Sequence, residues 1–214
     1  MKKAIVIGST GMVGKQLIQL LIENEAFSEV VSLVRRSSGI IHPKFHEIIV
    51  NFDEPETWSK FVSGNVLFSC MGTTIAQAKT KDEQYKVDFT YQFTVAEIAA
   101  KNGISNYVLV SSAGADSKSN IFYSKMKGKL ENAVQSLPFE YISILRPGLL
   151  VGNRIEKRVG EKIGFLVLNA FNKLGLFKKY KPIMDVQVAK AMIKASSKIN
   201  SASYTLDEVF KLTE

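Results

Sequence analysis

The chain has 214 residues, of which 46% are hydrophobic and 22% are charged. This is the composition of a soluble globular protein that can bury one sizeable core. A single cysteine excludes an internal disulfide framework and fits a reducing compartment. No apolar run approaches the roughly 18 residues of a membrane span, and the stretch after Lys2-Lys3 breaks at Gly8, too early for an export signal. The sequence therefore predicts one domain over residues 1–214, in the cytoplasm.

The net charge of +8 indicates an anionic partner. A basic domain can bind nucleic acid, acidic membranes or a phosphorylated cofactor. The lysines and arginines are largely scattered, and no signature of a nucleic-acid-binding module is present among them. Solvated faces together with a dianionic small ligand account for the charge, and we do not expect nucleic acid as a partner. With Cys70, His42 and His46 as the only cysteine and histidines, we expect no metal site.

Apolar strands alternate with helical segments over the first two-thirds of the chain. Each strand is almost continuously apolar, which is typical of a parallel sheet covered by helices on both faces. The sequence thus predicts an α/β fold, a Rossmann-type doubly wound parallel sheet that binds its ligand at the carboxyl ends of the strands. The predicted strands are 4–7, 30–34, 47–50, 66–69, 107–110 and 141–145, and the predicted helices begin near residues 14, 54, 81 and 123.

The alternation is lost after about residue 150. An apolar stretch with glycines covers residues 164–171, and a further helix is predicted from Asp185 to about Lys198. We interpret residues 149–185 as a small C-terminal cap on the substrate side of the sheet, within the same domain.

The first strand runs directly into a glycine-rich turn, Gly8-Ser9-Thr10-Gly11-Met12-Val13-Gly14. Glycines at this spacing allow a sharp turn, a close approach to a pyrophosphate and tight packing of the following helix. The N-terminus of that helix offers unpaired N–H groups to the phosphate. An ordinary glycine-rich turn is the alternative, but the preceding strand and following amphipathic helix favour a dinucleotide site.

Arg35 and Arg36 follow the second strand directly, without a carboxylate between Leu33 and Ile41. In dinucleotide folds an acid at this place binds the adenosine ribose of NAD, whereas an arginine accommodates the 2′-phosphate of NADP. The pair therefore favours NADP(H) over NAD(H), with two solvated arginines as the alternative. Asp53, after the third strand, either accepts a hydrogen bond from the adenine amino group or caps a helix.

Tyr123 and Lys127 are four residues apart on a predicted helix and therefore share one face. A nearby cation favours the phenolate and lowers the pKa of a tyrosine, which suits a general acid or base. Ser112 stands upstream at the end of a strand, where its hydroxyl could orient a substrate carbonyl.

Together, the glycine turn, Ser111-Ser112 and Tyr123-x-x-x-Lys127 resemble the short-chain dehydrogenase/reductase superfamily. The segments Val110-Ser111-Ser112-Ala113-Gly114-Ala115-Asp116, Tyr123-x-x-x-Lys127-Gly128 and Leu145-Arg146-Pro147-Gly148 are similar to its atypical branch, the Tat-interacting-protein-like and bacterial YraR-like oxidoreductases. The resemblance extends over most of the chain.

This resemblance implies a catalytic set of Ser112, Tyr123 and Lys127. Ser112 would position the carbonyl oxygen, Tyr123 would donate the proton, and Lys127 would hold the nicotinamide ribose. Ser111 fits the spacing to the tyrosine as well, but in relatives with an adjacent pair the second serine is usually the active one, so we expect Ser111 to make a structural hydrogen bond at the strand end. Asp88 stands where many relatives have an active-site Asn, which puts the usual proton relay in doubt. Further cofactor contacts are expected from Cys70, Gly72, Thr73, Ser111, Pro147 and Gly148.

We therefore expect an NADP(H)-dependent oxidoreductase that acts on a small carbonyl or alcohol. The alternative is a non-catalytic NADP(H)-binding protein with a regulatory or assembly role. Homodimers built through a helix face are common in the superfamily, so a homodimer is possible.

Overall fold

A parallel β-sheet forms the centre of the molecule in the computed structural model, which describes residues 1–152 and 182–213. The strands in the described ranges are β1 (Lys2–Ile7), β2 (Phe27–Val34), β3 (Phe45–Ile49), β4 (Val66–Ser69), β5 (Asn106–Val110), β6 (Tyr141–Arg146), β7 (Leu150–Val151), β8 (Ile183–Met184) and β9 (Ala202–Thr205). Seven of them form one sheet in the order β3-β2-β1-β4-β5-β6-β9, and β7 pairs with β8 separately. Neighbouring strands are parallel throughout.

Helices connect the strands and cover both faces of the sheet. They are α1 (Met12–Glu23), α2 (Pro55–Trp58), α3 (Ile75–Ala78), α4 (Lys81–Tyr85), α5 (Tyr91–Lys101), α6 (Phe122–Gln135), α7 (Asp185–Ala195) and α8 (Asp207–Lys211). A 3₁₀ turn over Ser59–Phe61 follows α2, and a π-helical segment over Lys86–Thr90 joins α4 to α5.

Side chains of each strand alternate between two hydrophobic cores, because successive residues of a strand point to opposite faces. In β1, Ala4 and Val6 belong to the core under α1 and α7, whereas Ile5 and Ile7 belong to the core under α5 and α6. All four side chains are fully buried. The predicted doubly wound parallel sheet is thereby confirmed.

The strand order reverses at β1, which is hydrogen-bonded to β2 on one side and to β4 on the other. In open parallel sheets the crevice outside the carboxyl ends of the strands at such a reversal is the usual ligand site. The glycine turn follows β1 at this point, and the loop after β4 lies beside it.

The structure contains elements that the sequence did not predict, among them the short helices α3 and α8 and the two-residue strands β7 and β8. The helix predicted to begin near residue 81 is interrupted by the π-helical segment, and it ends at Lys101 with Asn102 as its C-cap. The sequence does not predict β9, which is the seventh strand of the main sheet. This strand is only four residues long, and its residues, ASYT, are mostly polar and mostly only partly buried. The apolar stretch 164–171 and most of the predicted cap lie outside the described residues.

Candidate functional site

The backbone of the glycine turn is packed too tightly for side chains. Gly8 has a φ of +82°, and a Cβ at this position would lie 2.4 Å from the backbone nitrogen of Met71. A Cβ on Gly14 would lie 2.1 Å from the carbonyl oxygen of Gly8. The Gly11 amide donates a hydrogen bond to the same oxygen at 3.0 Å. Glycine is therefore required where the strand turns and where α1 leaves it.

The N-terminus of α1 is open to a ligand. Its N-cap residue is Gly11, no side chain caps the helix, and no acidic residue is present in its first turn. The first N–H groups and the positive end of the helix dipole therefore face the crevice, which suits a phosphate. The Ser9 side chain is buried, and the Ser32 hydroxyl donates to its oxygen at 2.6 Å. Ser9 is thus directed to the sheet.

A cavity of about 320 Å³ lies at the carboxyl ends of the central strands. It brings together α1, the loop after β4, the end of β5, helix α6 and the segment after β6. Twelve of the residues expected at the site line it: Gly11, Met12, Val13, Cys70, Gly72, Thr73, Ser111, Ser112, Tyr123, Lys127, Pro147 and Gly148. Residues that the sequence-based site did not include are Met71, Val110, Leu149 and Leu150, and Asp88 also lines the cavity.

Tyr123 and Lys127 lie one helical turn apart on α6 and both reach this cavity. The Lys127 Nζ lies 6.0 Å from the centre of the Tyr123 ring. The tyrosine side chain is exposed, at 39%, whereas the lysine is buried, at 3%. The Tyr123 ring and its hydroxyl are therefore accessible to a ligand, and the buried Lys127 ammonium lies close to this ring.

Asp88 lies opposite Lys127 in the floor of the cavity. The Lys127 Nζ and the Asp88 Oδ1 are 3.2 Å apart, and the Thr73 amide donates to Oδ2 at 2.7 Å. Burial lowers the pKa of Lys127, but the neighbouring Tyr123, Asp88 and Glu131 outweigh it and hold this pKa above its ordinary value. The lysine is therefore charged at neutral pH.

The two serines after β5 have different environments. Ser112 is partly exposed and lines the cavity. Ser111 is buried, and its hydroxyl has no hydrogen-bond partner among the described residues, although its amide donates to the Leu145 carbonyl at 2.7 Å. The structural hydrogen bond expected for the Ser111 side chain is thus absent from the described part of the chain. A buried hydroxyl without a partner that lines a cavity is available to a ligand.

Cys70 and Gly72 form the wall opposite the glycine turn. Burial raises the pKa of the Cys70 thiol to about 12, and its sulfur donates to the Ile7 carbonyl at 3.2 Å. This cysteine is a structural part of the wall, because a thiol of so high a pKa is not a nucleophile at neutral pH.

Arg35, Arg36 and Asp53 are not among the residues that line this cavity. Both arginines are exposed at the carboxyl end of β2. Asp53 accepts hydrogen bonds from Lys86 at 2.8 Å and from the Tyr91 hydroxyl at 3.1 Å. The alternative in which Asp53 caps α2 is wrong, because Glu54 occupies the N-cap position.

Within residues 1–152 and 182–213, no group of three or more His, Cys, Asp or Glu side chains could hold a metal ion. No helix of these ranges is long and apolar enough to cross a membrane.

A protein family described as NAD(P)H-binding matches residues 8–166. The chain therefore belongs to this NAD(P)H-binding family, as the glycine turn and the open end of α1 indicate. Its relatives include the mitochondrial protein fmp52 of Emericella nidulans, which is 35% identical over 181 residues, 81% of this chain and 78% of the relative. The mitochondrial protein FMP52 of Candida albicans is 32% identical over 199 residues, 90% of this chain and 87% of the relative.

Solved structures with the same fold include nucleotide-sugar enzymes. The ADP-L-glycero-D-manno-heptose-6-epimerase of Helicobacter pylori matches with a TM-score of 0.73 at 19% identity, over 96% of this chain and 76% of that one. MoeE5 in complex with UDP-glucuronic acid and NAD matches with a TM-score of 0.72 at 14% identity, over 95% and 76%. At these identities the similarity concerns the fold, and it confirms the Rossmann-like architecture.

The prediction of a cytoplasmic protein is contradicted by the names of the relatives. The proteins from Emericella nidulans, Scheffersomyces stipitis and Candida albicans are all named mitochondrial. The prediction depended on one cysteine and on the short apolar stretch before Gly8. Neither observation separates the cytoplasm from another reducing compartment.

Proposed function

We propose that this protein is an NADP(H)-dependent oxidoreductase that reduces a small carbonyl compound or oxidises the corresponding alcohol. The observation that supports this most directly is one shared cavity. Tyr123, Lys127 and Ser112 line the same 320 Å³ space as Gly11 and Met12 of the phosphate-binding turn. A reacting group would thus be adjacent to a dinucleotide bound at the turn.

The residues of this chain fit the cofactor. The open N-terminus of α1 and the close approach at Gly8 suit a pyrophosphate. The exposed Arg35 and Arg36 suit a 2′-phosphate, because a guanidinium offers planar pairs of donors to phosphate oxygens. Ser111, Thr73 and Pro147-Gly148 would contact the nicotinamide half. When bound, the cofactor supplies or accepts a hydride.

The protein side of the reaction is a proton transfer at the Tyr123 hydroxyl. In the reducing direction the tyrosine O–H gives its proton to the substrate oxygen, which becomes a hydroxyl, and a phenolate remains. The charged Lys127 stabilises that phenolate electrostatically. Ser112 donates a hydrogen bond that holds the substrate oxygen in place.

The substrate we propose is small and partly apolar. Met12, Met71, Leu149 and Leu150 contribute apolar side chains to the cavity beside the reacting groups. We place the protein in the atypical branch of the short-chain dehydrogenase/reductase superfamily, with the Tat-interacting-protein-like and YraR-like oxidoreductases. The match to an NAD(P)H-binding family supports this placement.

The test compares Tyr123→Phe with the wild-type protein in NADPH binding and in turnover over a panel of small aldehydes, ketones and alcohols. We expect unchanged NADPH affinity and a loss of turnover of about 10²-fold or more. Tyr141→Phe is the matched control, because Tyr141 lies at the amino end of β6, whereas the cavity lies at the carboxyl ends of the strands. Full turnover in Tyr123→Phe would exclude the acid/base role.

The non-catalytic alternative gives a different result in the same experiment. A protein that only senses the cofactor binds NADPH, turns over nothing in the panel, and captures a stoichiometric partner in an NADPH-dependent manner. Failure to bind NADPH at all would contradict both functions. The homodimer stays a prediction, which the molar mass in solution tests.

A further inference from the structure

Four charged side chains of alternating sign form two ion pairs that meet on helix α6, which lines the candidate site. Asp88 pairs with Lys127 at 3.2 Å, and Arg146 pairs with Glu131 through its Nε at 3.0 Å. Lys127 and Glu131 are one turn apart on α6, so the helix carries the two central charges. The charges sum to zero, although Asp88, Lys127 and Glu131 are each buried.

Burial makes the Asp88–Lys127 pair sensitive to the loss of either charge. Their side chains are 1% and 3% exposed. A buried ammonium without an anion beside it loses its hydration and is driven towards the neutral form. Together with Tyr123 and Glu131, Asp88 therefore helps to keep Lys127 charged, and it is the group that forms the ion pair with the ammonium.

The backbone around Asp88 is built to hold the carboxylate in one place. Asp88 lies in the π-helical segment between α4 and α5, and such segments occur frequently at functional sites. The Gln92 Nε2 donates to the Asp88 carbonyl at 2.7 Å, and the Gln92 Oε1 accepts from the Ser69 hydroxyl at 2.7 Å. The segment is thereby fastened to the end of β4.

The second carboxylate oxygen of Asp88 faces the loop after β4. It accepts the Thr73 amide at 2.7 Å, and the Thr73 carbonyl in turn accepts from Gln84 Nε2 at 3.3 Å. A Cβ on Gly72 would lie 3.3 Å from the other carboxylate oxygen. One side chain thus contacts both the loop and the lysine.

We propose that Asp88 is the positioning residue of this site: it holds the Lys127 ammonium beside Tyr123 and couples it to the Thr73 loop. The inference deepens the proposed function, since it concerns the lysine of the same set. Asp88 would act through Lys127 and Thr73, and it does not itself exchange a proton with the substrate. A ligand that displaces the loop containing Thr73 would therefore also displace the Lys127 side chain. Likewise, a displacement of Lys127 would move this loop.

The titration of Lys127 tests this directly, with no substrate or cofactor present. The charged and titratable groups that face Lys127 are Asp88 from the π-helical segment and Tyr123 and Glu131 from α6, with Arg146 of β6 beyond Glu131. The protein is labelled with ¹³C at the lysine ε-carbons, and the Lys127 resonance is assigned by its loss in Lys127→Met. In Asp88→Asn we expect its midpoint to fall by about one pH unit or more.

A control variant distinguishes the loss of the Asp88–Lys127 ion pair from the general effect of removing a carboxylate elsewhere. Glu29→Gln removes the acid of a partly exposed pair, in which Glu29 lies 3.0 Å from Lys3 Nζ, and should leave the Lys127 midpoint unchanged. The Thr73 amide resonance should shift in both Asp88→Asn and Lys127→Met, and not in Glu29→Gln. A Lys127 midpoint that is the same in Asp88→Asn and wild type would overturn the proposal.

A double variant covers the case in which Asp88→Asn does not fold. Combining it with Lys127→Met removes the unpaired ammonium, so the double variant should recover the folded state. A double variant as unfolded as Asp88→Asn would also overturn the proposal. If the protein bound no NADPH, the proposed function would fail while the Lys127 titration would remain readable.

Discussion

Arg146 holds the Glu131 carboxylate in a fork, with its Nε 3.0 and 3.1 Å from the two oxygens and its Nη2 bonded to Oε2. Glu131 is 2% exposed and belongs to α6, which carries Tyr123 and Lys127. Arg146 ends β6, directly before Pro147-Gly148. The pair therefore fixes two walls of the candidate site relative to each other.

Removing the carboxylate of Glu131 should destabilise the protein. Glu131→Gln leaves Arg146 without its anion, and we expect a loss of about 2 kcal/mol in the free energy of unfolding, measured in urea. Glu29→Gln breaks the partly exposed pair with Lys3 and should cost less than about 1 kcal/mol. Equal losses in the two variants would show that the fork adds nothing to stability.

A methyl group at Gly8 should damage the phosphate-binding turn. Gly8→Ala combines a φ of +82° with a Cβ 2.4 Å from the Met71 nitrogen, and we expect a loss of about 2–4 kcal/mol in unfolding free energy. Gly39→Ala is a matched control, since Gly39 has a φ of +77° and nothing within 4 Å of an added Cβ. It should lose only about 1 kcal/mol. If Gly8→Ala and Gly39→Ala lost similar unfolding free energy, the contact between the added Cβ and the Met71 backbone would be relieved at little cost.

Cofactor preference should depend on the arginines after β2. We expect Arg35→Ala or Arg36→Ala to raise the Kd for NADPH about tenfold or more, because a charge-assisted hydrogen bond to phosphate is lost. The Kd for NADH should change less than about twofold. Lys101→Ala, at the end of α5, removes the same charge elsewhere and should affect neither. A parallel weakening of both cofactors would contradict the 2′-phosphate assignment.

The contacts of Asp53 with Lys86 and Tyr91 should make the free energy of unfolding depend on pH in the acid range. The hydrogen bond from Lys86 lowers the pKa of Asp53 below its ordinary value, against the opposing effect of burial and with a further contribution from Tyr91. The folded-state pKa is thus below the unfolded value, so the stabilisation is complete above the unfolded pKa and is lost as pH falls through the folded one. Urea midpoints of wild type and Asp53→Asn should therefore differ at pH 7 and converge at low pH. High salt should reduce the difference, because the pair is exposed.

Much of the fold follows from patterns that are local in the sequence. Continuously apolar strands separated by amphipathic helices specify a parallel sheet, since only a sheet covered on both faces buries such strands. The turn at Gly8 is equally local, because residues close in sequence build it. By contrast, β9 depends on its partner β6, and a short polar edge strand has no signal of its own.

The site shows the same division. The i, i+4 spacing of Tyr123 and Lys127 is enough to put them on one helical face. Their position beside Gly11 and Ser112, and the pairing of Lys127 with Asp88 from a segment 39 positions earlier, arise from strand order and helix packing. The sequence alone is enough to predict the sheet, the glycine turn and the residue types proposed for the reaction. The burial of Lys127 against the Asp88 carboxylate becomes visible only in the folded molecule, because a buried charge acquires its partner through packing.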